Sequence, residues 1–196
     1  TVLFDRGRAI GHNTDWSGFG RNFDMGLPGA AMDRVVQLGA GGAGAAVAYA
    51  LLHRGAHNFV VVDADRGRAQ RLCDSLANIF VDRDIAAAGI DDATSVLRDA
   101  DGMVNATPMG MAAHPGMTVS VDVLRPDLWV AEVVYRPIDT ALLQAARAAG
   151  ARTLSGAGMA VYQAVDAFRI FTGVEPDAAR MHRHMLSLVH REQKAA

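Results

Sequence analysis

The sequence is short of cysteine and of lysine: among 196 residues there is one of each, Cys73 and Lys194. A single thiol closes no internal disulfide and no cysteine cluster is present to hold zinc, so a reducing, cytoplasmic setting is the expectation. Long apolar runs are missing too. Nothing approaches the roughly 18 residues of a membrane span, and residues 1–10 lack the pattern of a secretory leader. Charge of one sign is also absent. The 19 Lys and Arg nearly balance the 21 Asp and Glu, leaving a net charge of −2. That argues against the basic footprint of a nucleic-acid or membrane-surface binder. Aromatic residues are few, but 51% of the chain is hydrophobic and 20% charged, which excludes disorder and supplies a core without structural metal. The chain opens without Met, on Thr1-Val2-Leu3-Phe4-Asp5, which reads like the middle of a domain.

What is present is an alternation of short apolar strands with longer stretches of helical period, the pattern of a parallel sheet covered by helices. Strands are expected at 34–38, 59–62, 102–104, 129–135 and 152–154, and helices at 16–25, 43–54, 66–79, 138–149, 158–171 and 176–190. Gly55 supplies a helix stop. Residues 80–92, with Ala86-Ala87-Ala88 and Gly89, fit either a helix end or a short strand. The fold class is therefore α/β, a Rossmann-type doubly wound parallel sheet with flanking helices. Its divisions are expected at 1–28, an interdomain segment and helix, at 29–155, the dinucleotide-binding domain, and at 156–196, helices packing toward a substrate cleft.

Gly39-Ala40-Gly41-Gly42-Ala43-Gly44 matches G-x-G-x-x-G directly after a strand and directly before a helix. There Gly39 permits the tight turn, Gly41 lets backbone approach a pyrophosphate, and Gly44 allows close helix–strand packing. The first helical amides then face the negative charge. The bland alternative is a flexible turn in a chain rich in Ala and Gly; the βαβ setting favours dinucleotide binding. Asp63 ends the second strand 24 residues after Gly39, placed to accept from the adenosine ribose hydroxyls and to repel a 2′-phosphate, which favours NAD over NADP. Its alternative role is a cap on the next turn. Arg66 and Arg68 keep NADP open as phosphate partners, or are solvated charges on a first helical turn.

Polar residues outside the glycine turn fall into four groups. Asn13-Thr14-Asp15 precedes an amphipathic stretch bearing Trp16, Phe19 and Phe23, where Thr14 or Asp15 alone reads as an N-cap. Asn105-Ala106-Thr107-Pro108-Met109-Gly110-Met111 follows a strand and so lies at the carboxyl edge where open α/β sheets bind ligands, although a plain Pro/Gly turn reads the same way. Tyr135-Arg136-Pro137 reaches that edge from another strand. Gly156 to Gln163 opens a helix with Met159 and Gln163 on one face. No metal is expected, since His182 and His184, two apart, point to different sides of a helix. Cys73 on an apolar helix face reads as buried and inert.

Taken in order, Asn13-Thr14-Asp15, Gly39 to Gly44, Asn105 to Met111, Tyr135-Arg136-Pro137 with Thr140-Ala141-Leu142-Leu143, and Gly156 to Gln163 resemble the shikimate dehydrogenase family over nearly the whole chain. The likeness is strongest to NAD-dependent quinate/shikimate dehydrogenases, because Asp63-Ala64-Asp65 stands where NADP-using members carry an Asn-Arg-Thr-like sequence. The resemblance implies a hydride transfer between NAD and the ring secondary alcohol of shikimate or quinate, in or near the shikimate pathway. It implies that Asp15 hydrogen-bonds a substrate hydroxyl beside a catalytic lysine, that Gln163 contacts another hydroxyl, and that Tyr135 lines the substrate pocket. It assigns cofactor contacts to Gly39 through Gly44, Asp63, Arg68, Asn105, Thr107, Pro108, Met109, Val134, Gly156, Gly158 and Met159. The family's N-terminal substrate domain supplies that lysine, and none of its motifs occurs here; Lys194 lies in a polar tail. The chain is thus expected to be the cofactor-binding half, binding NAD with little dehydrogenase activity of its own and with a homodimer as its assembly. A truncated NAD-binding relative without chemistry, and a dehydrogenase of an aminoshikimate-like acid, are the alternatives.

Overall fold

The computed structural model describes residues 1–195 and, within them, every side chain except those of His190 and residues 192–195, so the side chain of Lys194 lies outside the described residues. The chain begins with a hairpin, β1 (Val2–Asp5) and β2 (Arg8–Gly11), that the sequence reading did not foresee. Arg6 at φ 46° and Gly7 at φ 79° give the two left-handed residues that a tight hairpin turn requires. Helix α1 (Asp15–Gly26) follows, and then the main sheet with its helices.

β3 (Arg34–Leu38), β4 (Asn58–Asp63), β5 (Asp84–Gly89), β6 (Gly102–Asn105), β7 (Trp129–Glu132) and β8 (Thr153–Leu154) form one parallel sheet in the order β5-β4-β3-β6-β7-β8. The chain leaves β3 in one direction and returns to its other side at β6, so β3/β6 is the topological switch point of a doubly wound sheet. Of the undecided stretch 80–92, Asp84–Gly89 form a strand: their alanines are weak strand formers alone, but they pair along the whole of β4, and Ile90–Asp92 close it with a 3-10 turn. The strand expected at 129–135 stops at Glu132; beyond it the Val133 amide still donates to Asn105 O at 3.0 Å and Val134 O accepts from the Gly156 amide at 3.3 Å.

The helices are α2 (Gly42–His53), α3 (Arg66–Ala77), α4 (Ala93–Leu97), α5 (Ala141–Ala148), α6 (Ala157–Thr172) and α7 (Ala178–Ala195). Side-chain capping explains two of the starts: Asp65 accepts from the Arg68 amide at 3.0 Å to open α3, and Thr140 accepts from the Leu143 amide at 3.2 Å to open α5, three residues later than expected.

Strand residues alternate between two buried layers. Val35, Phe59, Val104 and Trp129 join Phe19, Phe23, Val47 and Leu51 on one face, while Val36, Leu38, Met103 and Val130 join Leu97, Leu128 and Leu142 on the other. Each such side chain contributes about 1.5–3 kcal/mol through burial. One feature of the packing bears directly on the site. A Cβ on Gly18 of α1 would lie 2.6 Å from the Gln163 backbone nitrogen, so the two helices touch backbone to backbone there, and one on Gly158 of α6 would lie 1.8 Å from Oδ1 of the Asn22 side chain. That crossing carries Asp15 toward Gln163, 148 positions away in sequence.

Candidate cofactor and substrate site

The glycine turn leaves the end of β3 at the switch point. Gly39 has φ +100°, and a Cβ there would stand 2.7 Å from Ala106 O, while one on Gly44 would stand 2.3 Å from Gly39 O. A Cβ on Gly41 or Gly42 would meet nothing within 4 Å, so the outer side of the turn is open. Beneath it lies Gln37, fully buried, whose Nε2 donates to Gly39 O at 2.8 Å and to Gly44 O at 2.9 Å. This pins both ends of the motif with the first α2 amides facing outward. The sequence reading passed over Gln37; a polar residue inside an otherwise apolar strand was the signal.

Asp63 is 7% exposed at the end of β4. Its Oδ2 accepts from the Ala40 amide at 2.7 Å, and its Oδ1 accepts from the Asp65 amide and from Arg68 Nη2, each at 2.8 Å. Burial by itself raises the carboxyl's pKa, but the hydrogen bonds from Arg68, Ala40 and Asp65, with the Arg68 charge, outweigh it and hold the group below the ordinary carboxylate value. The acid therefore ties the glycine turn to the start of α3 and remains ionised. It does not cap α3; Asp65 does. A cleft of about 450 Å³ opens beside it, lined among others by Gly39, Gly41, Arg68, Thr107, Pro108 and Met109.

Asn105 ends β6 at 1% exposure, and all of its hydrogen-bonding capacity is taken up by the chain. Its Nδ2 donates to Met109 O at 3.0 Å and to Glu132 Oε2 at 3.1 Å; its Oδ1 accepts from the Thr107 amide at 3.1 Å and from Thr107 Oγ1 at 2.7 Å. Thr107 Oγ1 in turn accepts from the Met109 amide at 3.2 Å. The segment is an ordered loop wound around the Asn105 side chain, and Asn105 stands behind the wall that Thr107, Pro108 and Met109 form.

A second cleft, of about 310 Å³, gathers Asp15, Ala43, Tyr135, Gly156, Met159 and Gln163. These residues come from the start of α1, the start of α2, the segment after β7 and the first turns of α6. Asp15 is exposed; the N-cap of α1 is Thr14, and its side chain makes no capping bond. Val134 is buried and faces a smaller neighbouring cleft with Thr107 and Tyr135. Ala40, Gly44 and Gly158 sit in packing behind these walls rather than on them, Gly158 against Asn22 at the helix crossing. Gly42 is exposed on the first turn of α2. Cys73 is buried, and burial pushes its thiol up to about 11, the inert state expected of it. Among the described residues no cluster of His, Cys, Asp and Glu could hold a metal ion, and no helix is long and apolar enough to cross a membrane.

A doubly wound parallel sheet with a glycine turn at its switch point and an ionised acid closing the next strand defines a Rossmann-type fold of the dehydrogenase class. Comparison with known proteins narrows it. Residues 156–186 match the family model of the shikimate 5′-dehydrogenase C-terminal domain, and residues 35–113 match the saccharopine dehydrogenase NADP binding domain. The chain is 60% identical over 181 residues to the shikimate dehydrogenase (NADP(+)) of Streptomyces avermitilis, covering 92% of the chain and 62% of that protein. It is 55% identical over 193 residues to the quinate/shikimate dehydrogenase (NAD(+)) of Corynebacterium glutamicum, covering 96% and 67%. The solved quinate dehydrogenase from Corynebacterium glutamicum in complex with NAD superposes with a TM-score of 0.91 at 52% identity, over 95% of this chain and 66% of that one. The chain belongs to the shikimate/quinate dehydrogenase family. It spans between 62% and 67% of the length of these relatives.

Proposed function

We propose that this chain is the cofactor-binding part of an NAD-dependent oxidoreductase that interconverts the ring secondary alcohol of quinate or shikimate and its 3-dehydro ketone. The observation that carries this reading is the second cleft: Asp15, Tyr135 and Gln163, far apart in sequence, line one hollow with Ala43, Gly156 and Met159 next to the glycine turn. The residues present fit a dinucleotide. Gly41 and Gly42 leave room for a pyrophosphate at the α2 amides, and Asp63 offers a carboxylate at the ribose position. Pro108, Met109 and Thr107 then hold the run between the two clefts, and Met159 and Gly156 the nicotinamide end. When bound, the nicotinamide ring exchanges the hydride with the substrate carbon.

The protein groups supply orientation and a place for the proton. Asp15 accepts a hydrogen bond from a substrate hydroxyl and its charge tunes the proton affinity of a lysine supplied by the substrate domain, which in neutral form takes the hydroxyl proton as hydride leaves and returns it in the reverse direction. Gln163 reads a second hydroxyl with its amide, and Tyr135 shapes the pocket wall. NAD is favoured because the Asp63 carboxylate opposes a 2′-phosphate. Arg68, half exposed beside it, supports a second reading in which NADP is accepted as well. We further place the protein in the cytoplasm and expect a homodimer, which sedimentation tests. The function is tested by supplying quinate or shikimate with NAD to a protein carrying this chain together with a lysine-bearing substrate domain. NADH absorbance is expected to rise with one or both acids, and silence with both would count against the reading.

A further inference from the structure

Glu132 closes β7 with its side chain wholly buried, and it is the one buried glutamate among the described residues. A carboxyl withdrawn from water survives only where its oxygens are partnered. Here the partners come from three different segments. Oε2 accepts from Asn105 Nδ2 at 3.1 Å, Oε1 accepts from Thr140 Oγ1 at 3.1 Å, and the Val134 amide donates a third bond. Asn105 carries the loop whose Thr107, Pro108 and Met109 wall the first cleft. Val134 belongs to the run Val133–Tyr135, whose ends wall the second. Thr140 is the N-cap of α5. Gly110 packs beside these groups at φ +99°, a left-handed backbone that favours glycine; a Cβ there would make ordinary contacts, 3.4 Å from Thr140 Cγ2 and 3.8 Å from Glu132 Oε1.

We propose that Glu132 is a positioning residue for the dinucleotide, fixing the loop at 105–111 against residues 133–135 so that the walls of the two clefts stand in register. The proposal rests on the dinucleotide reading above. Glu132 touches neither cleft, so it acts through Asn105 and Val134. Its effect is therefore confined to a ligand long enough to span both walls. Burial pushes the carboxyl up to about 7, against the lowering by its bonds from Asn105, Thr140 and Val134, so near neutral pH an amide is a fair substitute for it. In Glu132→Gln the amide nitrogen donates to Thr140 Oγ1 while the oxygen keeps the Asn105 bond. Glu132→Leu keeps the volume and removes every bond.

The test is calorimetric titration of the 196-residue chain and its variants with NAD and with AMP, which carries the adenosine and one phosphate but no nicotinamide. Glu132→Leu is expected to bind NAD about tenfold more weakly than wild type and AMP within twofold of wild type, with Glu132→Gln restoring NAD binding to within threefold. Equal losses for both ligands, or an unchanged NAD affinity in Glu132→Leu, would overturn the proposal. Where Glu132→Leu yields no folded protein, Thr140→Val serves: a loss of about threefold for NAD alone is expected, and no loss overturns the proposal. A wild-type chain that binds AMP but not NAD, or neither, contradicts the dinucleotide reading itself, and the proposal falls with it.

Discussion

Replacing Asp63 by Ala removes a carboxylate that braces the glycine turn and that the proposed function also gives a part in cofactor choice. In the structure it takes three hydrogen bonds, from Ala40 at 2.7 Å and from Asp65 and Arg68 at 2.8 Å each. The Ala40 amide is left buried without its acceptor, which costs roughly 1–3 kcal/mol of stability. For NAD the loss is an ionised acceptor at the ribose, worth about 1.5–3 kcal/mol, or about tenfold to about a hundredfold in affinity. NADP moves the other way, because the repelling charge is gone and the Arg68 guanidinium is released. Asp63→Asn separates the two effects, since its side-chain oxygen still accepts from Ala40 while the charge is removed. Titrations with NAD and NADP, followed by calorimetry for wild type and both variants, give the ratio of affinities. The expected result is a ratio shifted toward NADP by at least about tenfold in Asp63→Ala, with Asp63→Asn shifted in the same direction and closer to wild type in melting temperature. An unchanged ratio would remove Asp63 from cofactor selection and reduce it to a brace between β4 and the glycine turn.

The remaining predictions use other parts of the site. Gly41→Val leaves the melting temperature within a few degrees, because a Cβ there meets nothing within 4 Å, but abolishes measurable NAD binding by occupying the approach to the α2 amides. Gly102→Ala does the reverse: its Cβ would lie 1.8 Å from Trp129 Cε2, so denaturant unfolding should show a loss of roughly 1–3 kcal/mol or more. Glu132 makes stability depend on pH. Its folded-state value of about 7 lies above the ordinary carboxyl value of 4.5, so the native state holds the proton more tightly. Stability relative to Glu132→Gln is therefore greatest below the lower value, declines as pH rises between the two, and is level above the higher, a swing of about 3 kcal/mol readable in urea melts. Asp63 works in the opposite sense: its lowered pKa adds stability that is present above the ordinary carboxylate value and is lost as acid protonates it.

Much of this is legible in the sequence. The alternation of β-branched strands with Ala- and Leu-rich helices points to a parallel sheet and to five of its six strands, because a strand covered on both faces leaves an apolar run such as Val60-Val61-Val62. Asp15, Tyr135 and Gln163 are assigned by the family resemblance that the motifs carry, and the chain folds them into one cleft. The hairpin at residues 2–11 escaped notice because its turn, Arg6-Gly7, lacks the Asn-Gly or Asp-Gly signature, and its strands are largely exposed. β5 stayed undecided because alanine is a helix former until a neighbouring strand claims it. Glu132 and the saturated side chain of Asn105 lie beyond sequence reasoning for a common reason. Their work is done through partners up to 27 residues distant, and nothing local distinguishes a buried polar brace from a surface residue.

The measurement that bears most directly on the whole account is titration of the 196-residue chain with NAD, with Gly41→Val as the paired control. The account predicts saturable binding at one site per chain for wild type, competed by NADH, and none for the folded variant. Absence of saturable binding to the wild-type chain, or equal binding by both proteins, would contradict the assignment of the glycine turn and its two clefts to a nicotinamide dinucleotide.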